Sequence, residues 1–123
     1  MPQHVQVTGI DEFQSVIDQH KDKEAYVLFC GGKDDSGKSW CPDCVAAEPV
    51  IDKAVSKLPD DAVFIYCSVG DKPFWKNKDN AFRTNSTLKL TGVPTLIKWG
   101  TAKRLVEEDC QKSDLVDMLF EED

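Results

Sequence analysis

Long apolar runs are missing from this chain. The longest, residues 25–30 and 62–67, reach about six residues, against the ~20 that a membrane-spanning helix requires, so no transmembrane segment is expected. Met1, Pro2, Gln3 and His4 hold neither a basic cluster nor an apolar core, so no secretory signal is expected either. Cations are in deficit: 15 Lys and Arg against 22 Asp and Glu leave a net charge of −7. Nucleic acid and anionic membrane surfaces both require a basic face, and this balance argues against both as partners. Histidine is scarce, with only His4 and His20. There is no internal repeat, no low-complexity segment and no even, dense cysteine framework of the kind that staples small secreted domains. Five cysteines, an odd count, point instead to a reducing compartment and a cytoplasmic protein.

What is present fits one domain over residues 1–123, with 41% hydrophobic residues and enough length to bury a core without metal or several disulfides. Residues 3–7 read as a short strand. Ile10, Phe13 and Ile17 then recur at helical spacing, with Thr8 and Asp11 as a capping pair. Residues 25–30 are apolar throughout, as a strand buried on both faces is. The helix that follows carries Ala47, Ile51, Ala54, Val55 and Leu58 on its inner side. Residues 62–69 read as another buried strand, and residues 72–85 as short helices turning Phe74, Trp75 and Phe82 inward. Residues 95–99 and 103–107, about a Gly100 turn, read as an antiparallel hairpin. Ser113 caps a last helix that buries Leu115, Met118 and Leu119. The order β-α-β-α-β-α-β-β-α predicts an α/β fold, a central mixed sheet flanked by helices on both faces. The acidic end, Glu121, Glu122 and Asp123, reads as a solvated tail.

Chemistry concentrates in Trp40, Cys41, Pro42, Asp43 and Cys44, at the start of the second helix. Positions i and i+3 share a helix face, so Cys41 and Cys44 can close a small disulfide ring without unfolding their surroundings. At the helix N-terminus Cys41 meets unpaired N–H groups and the positive end of the dipole, which favour a thiolate and a pKa below the free value of ~8.5. Pro42 suits the first turn, and Asp43 complements the dipole while setting a negative charge beside that thiolate. Lys38 could offset that charge if its loop folds back. Trp40 reads either as core filling or as a cover and contact surface for the thiols. Trp75 and Trp99 read as packing, and Cys30, Cys67 and Cys110 as buried small hydrophobes.

Two rival chemistries overlap the same stretch. A C-x-x-C is also half of a zinc site, but structural zinc takes a second pair or closely spaced histidines, and here the other cysteines are isolated and both histidines lie far upstream. No metal is expected. Residues 32–39 also satisfy the phosphate-loop pattern G-x-x-x-x-G-K-[ST]. In such a loop the helix begins near Lys38, which would place Pro42 inside it, where a missing N–H and a ring clash are costly. Asp34 and Asp35 would set negative charge where phosphates need donors, and residues 67–69 offer no carboxylate for magnesium. The segment is read as a flexible polar loop.

Pro49 falls inside the second helical pattern and should kink it. Val93, Pro94 and Thr95 open the hairpin strand, and a cis bond before Pro94 would leave the Val93 backbone free to pair with an extended substrate segment. Together, the Trp-Cys-x-x-Cys helix start, Pro49 and Val93-Pro94-Thr95 ahead of a terminal hairpin resemble the thioredoxin superfamily, in its order and over essentially the whole chain. The resemblance implies the thioredoxin fold and a disulfide reductase, with Cys41 as attacking thiolate, Cys44 as resolving thiol and Pro94 as the cis-proline flanking them.

Ordinary thioredoxins carry Gly-Pro where this chain has Pro42-Asp43. With the long insertion of residues 31–39 and Phe74-Trp75-Lys76, the sequence is similar to a small cytosolic branch of that superfamily. That branch implies no bound cofactor, reducing equivalents from NADPH through thioredoxin reductase, and disulfide-containing proteins or small molecules as substrates. It also implies peroxidase activity, a role in cytokine signalling through NF-kappa-B, and a monomer. Thioredoxins also place a buried Asp on the strand before the motif, as proton acceptor for the resolving cysteine. Here Tyr26, Val27, Leu28 and Phe29 fill that strand, so with Leu28 at that position Cys44 must lose its proton elsewhere, to Asp43 or water, and substrate range should not follow thioredoxin's. A different class of function is a redox-gated binding module, whose dithiol state controls affinity for a signalling partner without turnover.

Overall fold

Three strands rich in β-branched and aromatic residues lie parallel at the centre of the computed structural model, which describes residues 2–121. They are β1 (Gln3–Thr8), β2 (Ala25–Cys30) and β3 (Val63–Ser68), with β3 between the other two. On the free edge of β2 lies β4 (Thr95–Lys98), antiparallel, followed by antiparallel β5 (Arg104–Val106), giving the order β1-β3-β2-β4-β5. All six residues of β2 are buried, which accounts for its unbroken apolar run: it is paired on both edges and covered on both faces.

Among the described residues five α-helices supply the cover: α1 (Gly9–Gln19), α2 (Pro42–Val55), α3 (Lys72–Lys76), α4 (Ala81–Thr84) and α5 (Ser113–Phe120). Side chains alternate across a strand, so β2 divides its residues between two layers. Phe29 meets Phe13 of α1 at 5.2 Å between ring centroids and Phe82 of α4 at 5.9 Å. On the other face Tyr26 meets Phe120 of α5 at 4.7 Å, and α5 packs against α2. The mixed α/β sandwich and the predicted element order are therefore present, with the segment after β3 resolved into α3 and α4. The α2 helix continues unbroken through Pro49, whose missing N–H leaves one intrahelical bond unmade.

Several local expectations are corrected. Thr8 occupies the N-cap of α1, but its side chain makes no capping bond; its N–H donates to Glu12 rather than to Asp11 (3.1 Å). Phe74 is 47% exposed and Met118 61% exposed, while Val116 joins Leu119 in the core and Leu115 is half-buried. Ser113 is the first residue of α5 and Lys112 its N-cap, with no side-chain bond. The second hairpin strand stops at Val106, because Glu107, in the left-handed region at φ 57°, begins a 3-10 turn, Glu107–Gln111. Glu121 is exposed; Glu122 and Asp123 lie outside the described residues. Among the described residues no helix is long and apolar enough to cross a membrane, and no group of three or more His, Cys, Asp or Glu side chains could hold a metal ion.

Phe29 has no exposed surface and two aromatic neighbours in one layer, so Phe29→Ala should lower the free energy of unfolding by about 3–5 kcal/mol. Chemical denaturation measures this, and a loss below about 1 kcal/mol would contradict the layer assignment.

Candidate active site

The residues between β2 and α2 form a loop that is closed on itself. Asp34 Oδ1 accepts the N–H of Ser36 at 2.9 Å, the N–H of Lys38 at 3.2 Å and the Ser36 hydroxyl at 2.5 Å. A bridge joins Lys33 to Ser39. The loop expected to be flexible is thus internally bonded, and the N–H donors that a phosphate would need are taken by Asp34. Lys38 lies in the field of Asp34, and it lines the cavity of Tyr66 and Lys33 rather than the groove of Cys41. Buried Ser39 ends the loop, donating its hydroxyl to Gly31 O at 2.8 Å and accepting the Cys41 N–H at 3.1 Å. Helix α2 begins only at Pro42.

Trp40 leans on Gly31, where an added Cβ would stand 2.5 Å from the indole, and its Nε1 donates to Gly70 O at 2.9 Å. It is half-buried and lines two cavities, one of about 380 Å³ shared with Cys41, Pro42, Asp43 and Val93, and one of about 590 Å³ shared with Tyr66 and Lys33. It serves as packing and as groove wall at once. Trp75 is buried beneath the Arg83 guanidinium, 3.9 Å from its ring, and Trp99 packs on Phe13 at 5.3 Å.

Cys41 is the N-cap of α2, and its Sγ accepts the Cys44 N–H at 3.2 Å, which brings the two sulfurs together on one face. Cys41 is 4% exposed and Cys44 1%, so Cys41 is the outer thiol. Across from it stands the cis Val93–Pro94 peptide, held by the Glu107 N–H on Pro94 O at 2.7 Å and by the Thr95 hydroxyl on Gly92 O at 2.7 Å. The Cys41 thiol donates to Val93 O at 3.5 Å. Only the Val93 N–H, unpartnered among the described residues, is left of the two backbone groups anticipated for substrate pairing. Asp43 is half-buried and accepts from Gln111 Nε2 at 3.3 Å.

Three features escaped the sequence reading. Lys72, Lys76 and Arg83 line the groove together with Asp43 and Glu107, and short helices with weak periodicity gave no signal for that rim. Glu107 presses so closely on Gly92 that a Cβ there would meet its Oε1 at 2.1 Å, a distance no real side chain tolerates. Cys30 faces Cys44, which strand parity permits but only packing decides.

In the closed pair the Cys41 thiol is pushed above the ordinary thiol range by the Cys44 thiol bonded to it, by burial and by the charge of Cys44, with Asp43 adding in the same direction; the Cys44 N–H on Sγ opposes them. The depressed Cys41 pKa expected from the helix N-terminus does not hold for this resting pair, because two anions cannot share so small a space. Cys44 is likewise raised, first by the Cys30 thiol. Burial pushes Cys67 and Cys110 up to about 12 each, in keeping with inert buried thiols.

Residues 6–122 match the family described as Thioredoxin domain-containing protein 17-like, thioredoxin domain. The chain is 54% identical over 121 residues to Thioredoxin domain-containing protein 17 of Danio rerio, covering 98% of this chain and 97% of that protein. It is 50% identical, with the same coverages, to Thioredoxin domain-containing protein 17 of Homo sapiens. Among solved structures, oxidised thioredoxin O1 of Arabidopsis thaliana aligns with a TM-score of 0.59 at 24% identity, over 97% of this chain and 99% of that one, a likeness of fold.

Removing the first cause of the raised Cys41 value should lower it, so in Cys44→Ala the pH midpoint of Cys41 alkylation moves down, and in Asp43→Asn it moves down by less. A midpoint that stays or rises in both variants contradicts this electrostatic picture.

Proposed function

The chain belongs to the thioredoxin domain-containing protein 17-like family of thioredoxin domains, and from that premise we propose that it is a protein-disulfide reductase working by dithiol-disulfide exchange at Cys41 and Cys44. The observation that carries this reading is the pair itself: an outer and an inner thiol at a helix start, the Cys44 N–H on the outer sulfur at 3.2 Å, opposite a cis-proline.

Cys41, as thiolate, attacks one sulfur of the substrate disulfide. A mixed disulfide forms, and the other substrate sulfur leaves as a thiolate that takes up a proton. Cys44 then gives up its proton and attacks Cys41 Sγ; the Cys41–Cys44 bond forms and the second substrate thiol departs. The outer position of Cys41 suits the first step, and the burial of Cys44 reserves it for the second. The free N–H of Val93 offers an extended substrate backbone a pairing group, and its carbonyl becomes available once the Cys41 proton has gone. Thioredoxin reductase, passing two electrons from NADPH, returns the dithiol without any group bound to this chain.

The same two thiols can reduce a peroxide: Cys41 takes one oxygen as a sulfenic acid, and Cys44 expels it as water while closing the disulfide. A cytosolic setting and a place in NF-kappa-B signalling belong to the same proposal, since a reducing compartment keeps the pair charged.

The test is NADPH oxidation by thioredoxin reductase in the presence of this protein and a disulfide. Wild type should turn over, Cys41→Ser should not, and Cys44→Ser should accumulate a covalent mixed disulfide. Equal residual turnover in both variants would sink the assignment of roles. A mixed disulfide with no wild-type turnover would move the reading to the redox-gated binding module.

A further inference from the structure

Cys44 has a sulfur on each side of it. Cys30 ends β2, has no exposed surface and shares the strand parity of Tyr26 and Leu28, so its side chain points to the α2 side of the sheet. There it neighbours Cys44, in the first turn of α2, and both thiols are buried in one core cluster. Cys44 thus stands between the last residue of β2 and Cys41, to which its own N–H ties it.

Beyond Cys30 lies Tyr66. Its register partner in β2 is Leu28, so Tyr66 and Cys30 project from the same face, two residues apart along neighbouring strands, and the hydroxyl neighbours the Cys30 thiol. That hydroxyl is the one buried side-chain nitrogen or oxygen among the described residues left without a hydrogen bond. Tyr66 also lines the cavity of about 590 Å³ together with Lys33 and Ser68, a space large enough for water.

We propose that Cys30 is a third redox thiol that can take Cys44 over from Cys41. In the oxidised protein Cys30, as thiolate, attacks Cys44 Sγ. The Cys30–Cys44 bond forms, the Cys41–Cys44 bond breaks, and Cys41 leaves as a thiolate. The Cys30 proton departs past the Tyr66 hydroxyl toward the cavity, and Cys41 takes up a proton from the groove. No external oxidant or reductant is consumed, because one disulfide and one thiol exchange places. The outcome is a protein whose nucleophile is free while its resolving thiol is locked. A mixed disulfide that Cys41 forms in that state with a disulfide-bearing partner, whose other sulfur leaves as a thiol, persists, so the same site passes from turnover to capture. The proposal rests on the oxidised Cys41–Cys44 pair of the preceding reading, yet the third thiol can be tested apart from it.

In Cys41→Ser, four of the five cysteines remain. The variant is oxidised with diamide, denatured, alkylated and weighed. Labelled thiols should fall from four to two, with a peptide linking Cys30 to Cys44, and the loss should vanish in Cys41→Ser/Cys30→Ala. Retention of all four labels, or a linkage through Cys67 or Cys110, overturns the proposal. If Cys41→Ser fails to fold, wild type oxidised by a disulfide and quenched in acid serves instead. A Cys30–Cys44 peptide with alkylatable Cys41 supports the third thiol, and Cys41–Cys44 alone refutes it. Absent NADPH turnover by wild type would refute the reductase reading and leave this result standing.

Discussion

Where β2 stops decides where the rest of the site can stand. The strand is paired on both edges and covered on both faces, so its backbone has no freedom to shift without exposing apolar surface or breaking two ladders. Its last residue, Cys30, therefore sets the floor beneath Cys44. Gly31 has no Cβ because Trp40 lies there, and Trp40 in turn hangs from Gly70 at the end of β3. The neighbouring antiparallel strand β4 brings the cis Val93–Pro94 peptide to the same end of the sheet. Two covalently remote segments thus meet at Cys41 because both are anchored to β2.

Charge around the thiols is balanced between opposed influences. The helix start and the Cys44 N–H favour an anion on Cys41, while Cys44, burial and Asp43 disfavour it. The reactive form of the pair is therefore set by what happens to Cys44. An influence on Cys44, such as the Cys30 thiol, reaches Cys41 without touching it. On the rim, Lys72, Lys76 and Arg83 line the same groove as Asp43 and Glu107, a group of cations set against a net charge of −7.

Much of this was legible in the linear sequence, and the reasons are local. The all-apolar stretch of β2, the i and i+3 thiols, Pro42 at the first helical turn and Val93-Pro94 ahead of β4 each carry a backbone requirement within a few residues. The rejection of a phosphate loop followed from Pro42, from the charges of Asp34 and Asp35 and from the lack of a carboxylate at residues 67–69, and the structure adds that Asp34 occupies the donors itself. What was misread depends on packing between distant elements. Phe74 lies on a helix of five residues, too short for periodicity to tell inside from outside. On α5 the buried positions are Val116 and Leu119 while Met118 is exposed, a choice among adjacent apolar residues that a helix of eight residues leaves to its packing against α2. The cap of α1 fell to Glu12 because it stands one turn beyond Thr8, where Asp11 does not. Cys30 was read as a small hydrophobe, which its burial supports; its contact with Cys44 arises only when α2 settles on the sheet.

The most direct measurement is the site of attachment in the first covalent intermediate. Reduced wild-type protein is mixed with one equivalent of a disulfide peptide, quenched in acid within the first turnover, digested and sequenced by mass spectrometry. The substrate half should be found on Cys41, with Cys44 still reduced. Attachment to Cys44, or to any other cysteine, would contradict the outer and inner roles on which the chemistry of this site is built.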